Sequence, residues 1–178
     1  MHQEILDFWF KEIEESSWWI KDEAFDLEIS KRFGHLHTQA NRNELFSWRN
    51  TAQSSLAEII ILDQFSRNIY RDKPQSFYSD PLALALAQQA IEKGFDKQLP
   101  VKQRNFLYLP YMHSESLKIH EEAVQLYAQT ADAKTIEFEN KHKIIIERFG
   151  RYPHRNKILG RQSTLEEVEF LKHPGSGF

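Results

Sequence analysis

No stretch of this chain alternates apolar and polar residues with period two, and no dipeptide such as Asn-Gly marks a tight hairpin. Apolar residues instead recur every three to four positions, the spacing that lines one face of a helix. The fold class that follows is all-α. One helix is expected over about 5–13, closed by Ser16 and Ser17. A second is capped by Asp22, carries Phe25, Ile29 and Phe33 on one face, and ends at Gly34. Residues 35–55 read as irregular apart from a helical turn at Leu45, Phe46 and Trp48.

Ser54 or Ser55 caps a strong helix running through Leu56 and Phe65 to near Tyr70. Asp80 as cap and Pro81 behind it open an Ala/Leu-rich helix that runs to Gly94. Pro100 opens another, which Pro110 kinks or divides, and Ser114 or Ser116 restarts the chain as a helix to about Ala131. Residues 134–149 form the next, carrying Ile136, Phe138, Ile144, Ile145, Ile146 and Phe149, with Gly150 as its stop. The pair Ser163 and Glu166 reads as a capping box that opens a last helix to Leu171, before a Gly-rich tail at 173–178.

At 178 residues, with 23 basic against 26 acidic side chains, the chain has the size of one domain, and a single all-helical domain over 1–178 is expected. Its 23 aromatic residues supply an ample core. The net charge of −3 argues against nucleic acid as a partner, so any anion site must be local. The absence of cysteine excludes disulfides, thiolate metal sites, iron–sulfur clusters and a cysteine nucleophile. The first thirty residues are too charged for a signal peptide, and no apolar run is long enough to span a membrane. A soluble, cytoplasmic protein without a membrane partner is expected.

An internal echo adds to this. Residues 60–73 (IILDQFSRNIYRDK) align without gaps on 144–157 (IIIERFGRYPHRNK), with six identities that pair Arg67 with Arg151 and Arg71 with Arg155. Duplication and shared helix composition both account for such a match. Either way it suggests stacked helical hairpins of the repeat type.

Two segments carry the polar chemistry. Asp63, Arg67 and Arg71 fall at i, i+4 and i+8 beside Gln64 and Asn68, so a continuous helix gathers them on one face. Taken alone this is an ordinary helix ion pair, worth about 0.2–0.5 kcal/mol. Its place directly after the apolar run at 59–62 raises it above that, because partly buried guanidiniums need partners. The second segment, 148–161, holds Arg148, Arg151, Arg155, Lys157 and Arg161 with His154 and Asn156, and contains no acidic residue. It reads either as a solvated basic loop or, with Pro153 stiffening it and a helix start at Ser163 beside it, as a site for phosphate or carboxylate.

His113 and Glu115 follow Pro110 and can aim into a cleft. No histidine has the spacing of a metal motif, so neither metal nor cofactor is expected. Three functions fit these residues. In the first, the two arginine segments with His113 and Glu115 bind an anionic small molecule or peptide carboxylate: Arg67, Arg151 and Arg155 hold it, Asp63 orients an arginine, and His154 responds to pH. In the second, His113 or His154 is the general base of a hydrolase-like enzyme. In the third, the arginines tie helices together and exposed aromatics bind a protein partner. Adjacent Trp18 and Trp19 bear on the last, since neighbours in sequence cannot both face inward from one helix.

Several longer motifs point to a known family. These are LDQFSRNIYR at 62–71, FLYLPYMHSE at 106–115, RFGRYPHRN at 148–156, LGR at 159–161 and ST at 163–164, with DFWF at 7–10 and PG at 174–175. Together they resemble the bacterial domain-of-unknown-function family nine-two-four over essentially the whole chain. The resemblance implies an all-helical fold of antiparallel hairpins stacked as a tetratricopeptide-like right-handed superhelix. It implies no activity, substrate or catalytic residue.

Overall fold

The computed structural model describes residues 1–130 and 132–177. The expected helix end at Ala131 and the closing Phe178 lie outside them. The described residues are helical, and no strand occurs among them. Helix α1 covers His2–Asp7 and widens at once into a π-helical turn, Phe8–Glu12. A 3₁₀ turn, Glu15–Trp19, leads to α2, Glu23–Asn41. After a 3₁₀ turn at Phe46–Asn50 come α3, Ala52–Ile60, a π-helical stretch, Ile61–Phe65, and α4, Ser66–Ile69, one helical run with a wide middle. Helices α5, Asp80–Glu92, and α6, Val101–Met112, follow. Last come α7, Leu117–Ala128, α8, Ala133–Phe149, and α9, Leu165–Phe170.

Several starts and stops differ from the sequence expectation, each for a visible reason. Gly34 does not end α2, because the residues beyond it, Leu36, His37 and Ala40, are buried and carry the helix on to Asn41. Asp22 caps that helix as expected, accepting from the amides of Ala24 and Phe25. Thr51, not Ser54 or Ser55, caps α3, since the Ser54 hydroxyl donates to the Trp48 carbonyl instead. Ser79 rather than Asp80 precedes α5, which leaves Asp80 as its first residue. The last capping box is shifted by one: Thr164 and Glu167 form it, while the Ser163 hydroxyl accepts from Asn156. Pro110 lies inside α6 without ending it. Gly150 closes α8 in a left-handed conformation with φ of 67°.

Contacts divide the chain into two compact units, Met1–Arg71 with Gln75–Pro110, and Asp72–Pro74 with Tyr111–Phe178. The first is built on an aromatic core. Phe8 lies 5.0 Å from Phe33, Phe33 lies 5.2 Å from Phe65, and Trp9 meets Phe65 and Phe106 edge-on at 5.5 and 5.9 Å. Edge-to-face packing of this kind adds about 0.5–1.5 kcal/mol per pair to the area buried. The second unit packs α7 against α8 and closes on Ile145, Ile146 and Tyr152, with Phe149 and Phe170 beside them. The buried face of α8 is Glu139, His142, Ile145 and Ile146, whereas Phe138 and Ile144 of the expected stripe stay exposed. A polar pair replaces apolar residues in that core, and this places the chemistry described below.

Two glycines give a direct check on the backbone. A Cβ at Gly34 would meet no atom within 4 Å, and the residue sits in regular helix, so Gly34→Ala is expected to stabilise the protein by about 0.5–1 kcal/mol. Gly150→Ala must hold a side chain at positive φ and is expected to cost about 1 kcal/mol. Urea titrations of the two variants should move in opposite directions.

Candidate functional site

In the first unit the π-helical stretch and α4 present the expected polar face. Asp63 is almost fully buried; it accepts from its neighbour Gln64 and lies 3.3 Å from the Arg67 guanidinium. Arg67 spans two acceptors. It donates to the Asp63 carbonyl at 2.8 Å and grips Asp80 with both terminal nitrogens, at 2.9 and 3.0 Å. Arg71 grips Asp26 in the same bidentate way, and Asn68 donates to that carboxylate at 2.8 Å. Asp26 lies in the first turn of α2 and Asp80 opens α5, so α4 ties down the starts of two helices. Carboxylates are favoured at such positions by the unpaired amides and the helix dipole. Behind them buried His37, Ser66 and Ser79 form a hydrogen-bonded chain that ends on the exposed Asn41.

The second unit repeats the device. Arg161 grips Glu115, just before α7, with distances of 2.6 and 2.8 Å, and donates through Nε to Asn156 at 2.9 Å. The Tyr152 amide donates to Glu115 at 2.7 Å. Burial works against the charge on Glu115, but these donors outweigh it and hold the carboxyl below its ordinary range. Arg151 grips Glu167 in the first turn of α9 at 2.6 and 2.8 Å, and this pairing pulls the Glu167 carboxyl down to about 2. Arg148 pairs with Glu166 at 2.8 Å in a more exposed setting. Arg155 lies over the Tyr152 ring, 4.6 Å from its centre, and is largely buried.

Tyr152 is the hub of a histidine cluster that sequence reading left unassembled. It is fully buried, with the rings of His154, His142 and His120 centred 5.5, 5.8 and 6.3 Å away. His120 and Glu139, both buried, meet at 2.7 Å through Nδ1. His120 Nε2 faces the Ser114 carbonyl at 2.8 Å, which can only accept, so Nε2 carries a proton. Burial pushes the Glu139 carboxyl up from its ordinary range, against the lowering effect of the His120 contact. The other Glu139 oxygen, also buried, has no hydrogen-bond partner among the described residues. The Tyr152 hydroxyl donates to the Met112 carbonyl at 2.6 Å. Both ends of this relay thus finish on backbone carbonyls, an arrangement that locks α7, α8 and the 151–161 segment together.

His142 donates through Nδ1 to the Phe138 carbonyl at 2.8 Å, and burial holds its pKa down to about 3. Burial, with Arg155 next in importance, holds His154 down to about 4. His113, at the end of α6, is half-buried. Among the described residues no group of histidines and carboxylates is arranged to hold a metal ion. No described helix is long and apolar enough to cross a membrane.

Each unit holds its own share of the expected polar residues: Asp63, Gln64, Arg67, Asn68 and Arg71 in the first, and His113, Glu115, Arg148, Arg151, His154, Arg155, Asn156 and Arg161 in the second. What sequence reading missed are the acidic partners, Asp26, Asp80 and Glu167, and the His120–Glu139 pair. The one signal for the first three is that acidic residues stand at helix starts. Fold and site together define an all-helical protein whose arginines are bound by its own helix-terminal carboxylates. The chain belongs to the DUF924 family of bacterial proteins of unknown function, whose model matches residues 5–175. Its fold is shared by a solved protein of unknown function from Agrobacterium tumefaciens, ATU0120, with 40% sequence identity, 96% of each chain covered and a TM-score of 0.91. No functionally curated protein matches this chain.

His142 and His154 make acid stability measurable. Both are neutral in the fold and gain a proton on unfolding near the ordinary 6.5, so their contribution is complete above that value and falls as pH drops toward 4 and 3. By about pH 5, His142 and His154 should each have removed roughly 2 kcal/mol, with Glu139 acting in the opposite sense. Melting curves between about pH 7.5 and about pH 5 should show this loss, and His142→Gln should remove about half of it. An unchanged pH slope in that variant would contradict the assignment.

Proposed function

We propose that this chain is a protein-binding domain whose arginines are structural and whose recognition surface is aromatic. The observation that carries the reading is the pairing itself. Arg67, Arg71, Arg151 and Arg161 each meet a carboxylate of this chain bidentately, and a bound phosphate would have to displace that carboxylate. The anion-binding reading, with Arg67, Arg151 and Arg155 around a ligand, thus requires several partly buried ion pairs to open. A hydrolase with His154 as general base needs a pKa near the working pH, and burial holds His154 at about 4. The interaction reading needs neither, and Trp19, 64% exposed in the first unit, offers it a surface.

The test uses Arg67→Ala and Arg161→Ala with a thermal-shift panel of phosphates, sugar phosphates, nucleotides and dicarboxylates. The proposal expects both variants to melt lower, because each strands a partly buried carboxylate, at a cost of about 2–4 kcal/mol. It expects no saturable shift from any anion. A saturable stabilisation of the wild type that disappears in variants that remain folded would overturn it in favour of an anion site.

A further inference from the structure

The surface around Trp19 has a chemistry that specifies its partner. The 3₁₀ turn Glu15–Trp19 sets the two tryptophans apart: Trp18 stacks on Trp9 and donates from its indole to the Trp9 carbonyl at 3.0 Å, whereas Trp19 stays outside. Exposed as it is, Trp19 is held in place. It stacks on Phe106 with 13° between the planes and meets Trp18 edge-on at 86°. A large indole fixed before binding loses little freedom on contact, the property that makes tryptophan an interface anchor. Ile20 beside it is 57% exposed, and Leu27 in the following helix 53%. Next to them lies a groove of about 330 Å³ with Ile20, Ala24 and Phe25 as apolar lining and Asp22 and Glu28 as acidic lining.

The charge around this groove is net negative. The stretch 12–28 contains seven carboxylates and a single cation, Lys21. Arg32, Arg71 and Lys102 reach in to pair with Glu12, Glu28, Asp26 and Glu15, and the acidic groups still outnumber all four cations by three. Glu14 and Glu23 are exposed and pair with no cation among the described residues. The aromatic cluster also accepts cations within this chain. Lys102 lies 5.9 Å from the Trp18 ring, and Arg32 lies 4.6 Å from Phe8 and 4.9 Å from Phe33. A Lys or Arg placed on the outer face of Trp19 would make the same contact, and its charge would complement the acidic lining.

We propose that the Trp19–Ile20 surface and its acidic groove bind a basic peptide segment of a partner protein, with aliphatic side chains in the groove and a Lys or Arg on the Trp19 ring. The inference rests on the protein-binding reading above and narrows it to one partner chemistry.

Titration calorimetry on the intact chain tests it with three short peptides, one alternating arginine with leucine, one glutamate with leucine and one serine with leucine. Only the arginine peptide should bind, with affinity falling as salt is raised. Trp19→Ala and Glu28→Lys should each weaken it about tenfold or more. Glu28 is exposed, and Arg32 keeps Glu12 when it is reversed, so that variant preserves the fold and stands in if Trp19→Ala does not. Binding of the glutamate or serine peptide, lost in Trp19→Ala, would overturn the basic partner and leave the protein-binding reading standing. Arginine-peptide binding unchanged in both variants would overturn the site. Absence of binding by every peptide would overturn the inference, and an arginine-dependent shift in the anion panel would remove the broader reading with it.

Discussion

A guanidinium brought partly out of water must be neutralised, and here the neutralising groups stand at the starts of helices. Asp26 lies in the first turn of α2, Asp80 opens α5, Glu115 precedes α7 and Glu167 lies in the first turn of α9, and each receives a bidentate arginine. Each carboxylate is favoured twice, by the helix terminus behind it and by the fork in front of it. The geometry of the pair then fixes where the helix begins relative to the segment that supplies the arginine. In the first unit that segment is α4, and in the second it is the irregular stretch 151–161. In both units these clamps act beside the apolar contacts that pack the helices.

The same arrangement gives the arginine-rich motifs a meaning other than ligand capture. Arg67 and Arg151 occupy equivalent places in the internal echo, and both bind a carboxylate in the first turn of a following helix. Their backbones differ, since the first copy continues as helix to Ile69 and the second stops at Gly150. What the two stretches share is therefore a side-chain task. Around Tyr152 the structure goes further and buries charge-capable groups in the core, where His120 meets Glu139 and burial keeps His142 and His154 neutral. Such a core depends on pH in a way an apolar one does not.

Much of this was legible in the sequence. Helical periodicity fixed the fold class, and Asp22 and Gly150 were readable because caps and stops are local chemistry, while the helix at Asp80–Pro81 was readable to within one residue, Ser79 taking the cap position assigned to Asp80. That Trp18 and Trp19 cannot both face inward followed from their adjacency, but which of them packs against Trp9 did not. Local chemistry also misled: Ser163 and Glu166 satisfy the capping-box pattern as well as Thr164 and Glu167 do, and only the Asn156 side chain decides between them by occupying the Ser163 hydroxyl. The arginines' partners were not legible, because Asp26 lies 45 residues from Arg71 and Glu115 lies 46 from Arg161, and nothing in either neighbourhood encodes the meeting. Gly34 misled for a related reason, since the burial of Leu36, His37 and Ala40 outweighs one glycine's preference.

The claim that arginine–carboxylate clamps hold the helix starts is tested most directly by a double-mutant cycle on Arg67 and Asp80. Unfolding free energies of Arg67→Met, Asp80→Asn and the double variant give the coupling between the two side chains without reference to any ligand. The account predicts a coupling of about 1–3 kcal/mol, so that the double variant loses much less than the two single losses together. Simple additivity, with no coupling beyond error, would contradict it.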